Sequence, residues 1–276
     1  MVLSKTMSLG FSVDELLPKA RGGGQLKMGL VRLSEEEWLQ PDPDLAARLE
    51  GFSHWPEGVQ LTVEADVPAR ELAEMLGVPV EFDQAALPKV ALNSHEDMCL
   101  LTKREGDNQY RLIGAAVAWP TDWHPKNKIG LPLRALHAPI AGYEEQLATG
   151  VDRFMDTLKA GPIYGRCNWF IAPTGERRWI ADAPPEQAYS HVTADNAGET
   201  LFVRSERQTL RRLPKTGAIL FTIGIYVEPL GKLGPDNIAM LSKAVQSLVS
   251  GEGDRRGAPA YANSLIAFAA QRRTAS

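Results

Sequence analysis

Three polar side chains of different chemistry occupy alternate positions in the stretch Phe202 to Leu230: Arg204, Glu206 and Gln208. In extended backbone, alternate side chains share a face, so these three converge with Phe202 while Val203, Ser205, Arg207 and Thr209 take the other side. Such a surface has two readings. Arg204, Glu206 and Arg207 form a solvated strand face of weak ion pairs, or the carboxylate is enclosed, where it is disfavoured unless paired and a cationic amine is its natural partner. The second candidate is His137. A lone histidine is more often a surface or satisfied core residue, which is the reading for His54, His95, His124 and His191. His137 instead sits between Leu136 and Ala138-Pro139-Ile140, with Pro139 stiffening the backbone after it. An imidazole in an apolar lid over an apolar sheet suits an axial haem ligand. No second histidine stands near it at the spacing that zinc needs. Arg166 and Asn168 share a third strand face, where Arg166 can pair with a haem propionate or with Glu206.

The elements that must position these residues follow from pattern. Leu213-Pro214-Lys215-Thr216-Gly217 is a turn between two long strands, the second of which, Ala218 to Val227, is apolar on both faces and belongs mid-sheet. Met98 to Lys103 and Gln109 to Trp119 form an opening hairpin around Glu105-Gly106-Asp107-Asn108. Leu133 to His137 reads as a helical turn, Glu144 to Lys159 as a helix and Ile163 to Ala172 as a further strand. Residues 1–33 read as irregular, and Ser34 to Glu37 then has the form of a capping box opening a short helix with Trp38 and Leu39. Asp66-Val67-Pro68 opens a helix that Gly77 stops, Gly234-Pro235-Asp236 opens another, and a last helix spans Tyr261 to Gln271. Arg21-Gly22-Gly23-Gly24 lacks the strand and helix context of a phosphate loop.

Strand, strand, helical middle, strand, strand, strand is the order of PAS domains, whose middle section lids a ligand pocket. The expectation is therefore an α+β fold: a PAS-like antiparallel five-stranded sheet with a helical lid and additional N- and C-terminal helices. Residues 1–96 form a lead-in packed on the core, 97–230 the PAS-like core and 231–276 the C-terminal helices.

Composition narrows the function. With 34 acidic and 30 basic residues in 276, the formal charge of −4 gives no reason to expect nucleic acid or an anionic membrane as partner. Cys99 and Cys167 are too few for an iron–sulfur cluster or a disulfide framework and read as small hydrophobes in a cytoplasmic protein. The N-terminus lacks a signal peptide and no stretch is apolar enough to span a bilayer. No G-x-S-x-G, H-E-x-x-H or Walker motif is present.

Several blocks in one order then carry a resemblance: MGLVRLSEEEWLQPD (28–42), EDMCLL (96–101), AWPTDW (118–123), KIGLPLRALHAPIAGY (128–143), RCNWFI (166–171) and RSERQTLRRLPKTGAILFTIGIY (204–226). From about Met28 to about Leu230 the chain resembles the α subunit family of haem-dependent oxidative N-demethylase, long known only as a domain of unknown function. The resemblance implies a haem b-binding PAS fold that oxidises a small secondary amine, such as dimethylamine, with O2. Electrons would come from NADPH through flavin (FMN) and 2Fe-2S partner subunits. It puts the proximal ligand on His137 and the amine-binding carboxylate on Glu206; Arg204 and Gln208 are expected to assist, and Arg166 and Tyr226 are expected as further cofactor contacts. Where the family pattern reads F-T-I-R-T-Y this chain has FTIGIY, so Gly224 and Ile225 replace an arginine and a threonine, and Ala141 replaces a proline. The glycine is expected to open the pocket to a larger ligand. A haem PAS gas or redox sensor without turnover, and a haem-free PAS-like binding protein, are the alternatives.

Overall fold

The computed structural model describes residues 7–20, 27–247 and 252–274. Arg21-Gly22-Gly23-Gly24 lies outside them. A single antiparallel sheet runs through the molecule: β1 (Val31–Leu33), β2 (Val59–Leu61), β3 (Asp97–Thr102), β4 (Arg111–Ala116), β5 (Ile163–Ala172), β6 (Phe202–Arg212) and β7 (Ile219–Pro229). Their spatial order is β1-β5-β6-β7-β3-β4-β2, so the sheet has seven strands where five were expected. The five long strands are those read from the pattern. The two extra ones are three-residue edge strands from the lead-in, too short to display a period of two.

The β6–β7 hairpin is the centre of the sheet, and its turn is held from outside. The Glu71 carboxylate, on the helix Asp66–Leu76, accepts from the amides of Lys215 and Thr216 and from the Thr216 hydroxyl, while Gly217 takes φ +71. That helix ends at Gly77 in the left-handed conformation, as the sequence predicts. Ser34, in contrast, starts no helix. The Glu37 carboxylate, which would close a capping box, instead accepts from the Ser8 hydroxyl and the Leu9 amide and meets buried Arg207. The expected helix Glu144 to Lys159 is present but changes winding, with a π turn at Glu144–Ala148 before the α-helix Thr149–Thr157.

The two faces of the sheet are covered unequally. On one, Met98, Leu100, Ile113, Ile163, Cys167 and Leu220 pack beneath Leu72, Leu87 and Val90. Farther along the same face, Trp169, Ile171 and Val203 pack against Leu241 of the helix Pro235–Gln246 and Leu265 of the helix Ala258–Thr274. The C-terminal helices therefore close the sheet's back. The other face is closed over β3 and β4 but half-open over β5 and β6. Along β5 the burial alternates strictly, with Ile163, Gly165, Cys167 and Trp169 buried and Tyr164, Arg166, Asn168 and Phe170 half-exposed. β6 is paired on both sides along its length, whereas β5 is paired on its outer side only at Ile163–Gly165, and the half-exposed face they share is the candidate floor of a recess.

Candidate functional site

Register decides which side chains meet on that floor. Arg166 pairs with Gln208 and Gln208 with Ile223; Asn168 pairs with Glu206 and Glu206 with Ile225. Arg166, Asn168, Glu206 and Gln208 thus form a polar block in the centre of the recess, flanked by isoleucines of β7. The Glu206 carboxylate is 7% exposed and accepts from the Gln208 amide at 2.9 Å through Oε2. Among the described residues no ion pair engages it. Arg166 faces it diagonally: burial lowers the guanidinium pKa, the Glu206 charge opposes that shift, and Arg166 Nε is buried with no hydrogen-bond partner.

Above the floor, residues 130–133 are tied to β4 like a stub of strand. Gly130 donates to the Leu112 carbonyl at 2.7 Å, Leu112 to Leu131 at 3.1 Å and Leu133 to Tyr110 at 2.8 Å. The helical turn Leu133–His137 follows as expected, too short to persist alone. Leu133 is its anchor, packed among Leu101, Tyr110, Met155, Leu158 and Ile219, and burying one such side chain is worth about 2 kcal/mol. Leu136 packs with Cys99, Leu112 and Phe221. His137 is left half-buried at the rim, its Nδ1 donating to the Leu133 carbonyl at 2.8 Å and its ring stacked on Tyr143 at 4.5 Å and 10°. A carbonyl only accepts, so the proton is on Nδ1 and the neutral ring keeps its lone pair on Nε2. Burial, followed by the charges of Arg166 and Lys128, lowers the His137 pKa and favours that neutral form.

Arg204 shares the floor's face but is fully buried, with its guanidinium spent on the protein. It donates to Thr121 Oγ1 at 2.7 Å and to the carbonyls of Trp119, Pro120, Glu176 and Arg177. Burial brings its pKa to about 10, which keeps it charged at neutrality. It is a clamp on two loops, not a group that reaches into the recess. Asp97 is the matching clamp, accepting from the amides of Ala118 and Trp119 at 2.9 Å each and from buried Arg48. Just after the clamped segment, Asp122 takes φ +54 and Trp123 packs against the apolar cluster that contains Trp119, Ile223 and Ile225. Tryptophan-bearing AWPTDW signalled an important block, but not that Trp123 packs against the cluster of Ile223 and Ile225, the latter the strand partner of Glu206.

A family model described as haem-dependent oxidative N-demethylase, alpha subunit-like, matches residues 55–265. The chain belongs to this family. The family description makes haem the cofactor to test against the recess, and the residues present fit it. The floor is half-open, Arg166 carries an orphaned buried donor, and His137 offers Nε2 with its tautomer set by a carbonyl, as ligating histidines do. Among the described residues no three His, Cys, Asp or Glu side chains gather as a metal site. No helix among them is long and apolar enough to cross a membrane.

Two expectations fail on parity. Tyr226 and Gly224 lie on the covered face, not the recess. The Tyr226 hydroxyl donates to Gln40 Oε1 at 3.2 Å and its ring packs on His95 at 4.7 Å, away from any cofactor on the recess side. A Cβ on Gly224 would meet Tyr226, His95 and Glu96 at 3.2–3.5 Å, so this glycine makes room for the tyrosine ring and does not enlarge the recess. Ile225 does face the recess, as an apolar neighbour of Glu206.

The covered face carries its own titration. Glu96 is fully buried, accepts from the Gln40 amide at 3.1 Å and has Oε1 without a partner; burial, opposed by the Gln40 amide, Arg207 and Arg48, raises its pKa to about 7. A carboxyl with a raised native pKa binds a proton that the unfolded chain has already released. Its stabilising effect is complete below the ordinary glutamate range and is lost as pH rises to about 7. Glu96→Gln should therefore be nearly neutral at pH 5 and stabilising by about 3 kcal/mol at pH 8. Denaturant unfolding of both proteins between these pH values tests this, and a difference that does not change with pH refutes it.

Proposed function

We propose that this chain holds haem b on His137 and oxidises a small secondary amine of dimethylamine size, with O2 and with reductant from partner subunits. The observation that carries the reading is the pairing of an Nε2 kept free by the Nδ1–Leu133 bond with a buried, unpaired carboxylate on the floor of the same recess. The strand order supports a PAS-like core: β5-β6-β7-β3-β4 is the third, fourth, fifth, first and second of the long strands.

When bound, the haem would supply the oxidising chemistry, and the chain's residues supply binding and orientation. Arg166, with its unpaired Nε, is the donor suited to a propionate. Glu206, held by Gln208, takes the protonated amine, because a buried carboxylate gains most from a cation that has also left water. Trp123, Ile223 and Ile225 enclose the alkyl groups and exclude water. Arg204 acts at one remove, by holding the loop that carries Trp123. Two cysteines, both buried, cannot hold a 2Fe-2S cluster, so FMN, the cluster and NADPH belong to partner subunits, consistent with the family's description as a subunit. Two free cysteines fit a reducing, cytoplasmic setting.

The test is the spectrum of the protein titrated with haemin, followed by amine-dependent O2 consumption with a supplied electron donor. One Soret-absorbing haem per chain and an amine-dependent rate are expected. No Soret band after reconstitution, or haem without any amine response, would overturn the corresponding half of the reading.

A further inference from the structure

Tyr143 is 4% exposed yet belongs to none of the apolar clusters that make the core. Its ring contact is the His137 imidazole, nearly parallel at 10° and 4.5 Å between centroids. The backbone is built to deliver it there. Gly142 turns at φ +77, the Tyr143 amide returns to the Ile140 carbonyl at 3.1 Å, and the π turn Glu144–Ala148 begins at the next residue. A π turn inserts a residue into the helical ladder and re-aims the side chains around it, and such turns concentrate at functional sites.

The hydroxyl adds a second observation. Tyr143 Oη is buried and has no hydrogen-bond partner, although the ion-paired Arg134, Asp152 and Glu144 lie close enough for their charges to act on it. A buried hydroxyl left unsatisfied is costly, and phenylalanine would stack on His137 equally well without that cost. Both facts are accounted for if the hydroxyl finds its partner only when the recess is filled.

We propose that Tyr143 is a positioning residue for His137: its ring fixes the plane of the imidazole, and its hydroxyl is satisfied by an acceptor that arrives with the cofactor. The Nδ1–Leu133 bond sets the tautomer and leaves rotation about that bond free; the stack removes this rotation. A haem carboxylate has the acceptor chemistry required. The inference rests on the reading of His137 as axial ligand, and the experiment separates the two.

Wild type, Tyr143→Phe, Tyr143→Leu and His137→Ala are compared in three measurements: melting of the haem-free protein, haemin affinity, and the iron–histidine stretching band of the reduced, haemin-loaded protein. Tyr143→Phe should keep the wild-type band and at least the wild-type haem-free melting temperature, yet bind haemin about tenfold more weakly. Tyr143→Leu should shift and broaden the band, because an unstacked imidazole samples more than one orientation. A core-packing role alone would lower the melting temperature and leave the band in place. If the Tyr143→Leu band superimposes on wild type, or haemin affinity in Tyr143→Phe is unchanged, the positioning or the hydroxyl part is overturned. Tyr143→Phe keeps the test valid should the leucine variant fail to fold. Wild-type haemin binding that His137→Ala does not disturb would overturn the axial-ligand reading, and this inference with it.

Discussion

His137→Ala is expected to abolish stoichiometric haemin binding while leaving a folded protein. The helical turn that carries the histidine does not depend on it, since Leu133 and Leu136 are its apolar anchors and the amide–carbonyl bonds of residues 130–133 tie it to β4. What the substitution removes is one hydrogen bond to the Leu133 carbonyl and one ring stack at the rim, together on the order of 1–2 kcal/mol. A folded domain survives that loss, whereas an axial bond through His137 does not. His95 is no substitute: it is buried on the covered face with Nε2 bonded to the Ile225 carbonyl, and burial brings it to about 4. His124 precedes the turn Pro125–Asn127, its Nδ1 buried without a partner among the described residues. The direction of the His137 shift adds a pH condition. A pKa below the ordinary imidazole value keeps the lone pair available, so haemin should be retained at pH values somewhat below those at which a free imidazole protonates. Soret absorbance per chain, beside circular dichroism of the same samples, decides the matter; a variant that binds one haem with an unchanged spectrum removes His137 from the site.

The sequence made the site legible where chemistry and parity were local. Ile163 to Ala172 is β5 to the residue, and the alternation of β6 correctly puts Glu206 and Gln208 on one face with Arg166 and Asn168 opposite them. His137 stands on the helical turn that its proline-flanked, apolar setting predicts. Parity alone could not say what lies over a given position along the strand. Arg204 has the same parity as Glu206, yet the loops at Trp119 to Thr121 and Glu176 to Arg177 close over its end of β6 and consume its donors. Those loops are 83 and 28 residues away in the chain, and no periodicity reports on them. Tyr226, expected as a cofactor contact, is the reverse case: its alternation with Ile225 already put it on the covered face, where its hydroxyl meets Gln40. Tyr143 escaped notice because its position depends on Gly142 and a π turn, which a helical pattern read at 3.6 residues per turn passes over.

Glu206→Gln should retain haem and lose the amine. The substitution keeps the side chain's size and an amide oxygen to accept from Gln208, so the floor of the recess should not collapse. It removes the negative charge that is the recess's attraction for an alkylammonium ion. Truncating one partner of a buried, charge-assisted pair costs about 2–4 kcal/mol, or roughly 30- to 1000-fold in the amine dissociation constant. The rival role for Glu206 is to compensate Arg166, whose guanidinium it stabilises against burial. That role predicts a different outcome. If Glu206 served Arg166, the glutamine variant would melt at a lower temperature and hold haemin less tightly, with the amine response preserved in whatever haem remained. If it serves the amine, haemin affinity and melting stay near wild type while the amine-induced change in the haem spectrum disappears. The side chains around it favour the second outcome: among the described residues Arg166 is not ion-paired to Glu206, its Nε has no hydrogen-bond partner, and the carboxylate accepts from the neutral Gln208. A carboxylate buried beside only a neutral donor would gain most from a cation that has itself left water, which is what the amine would supply.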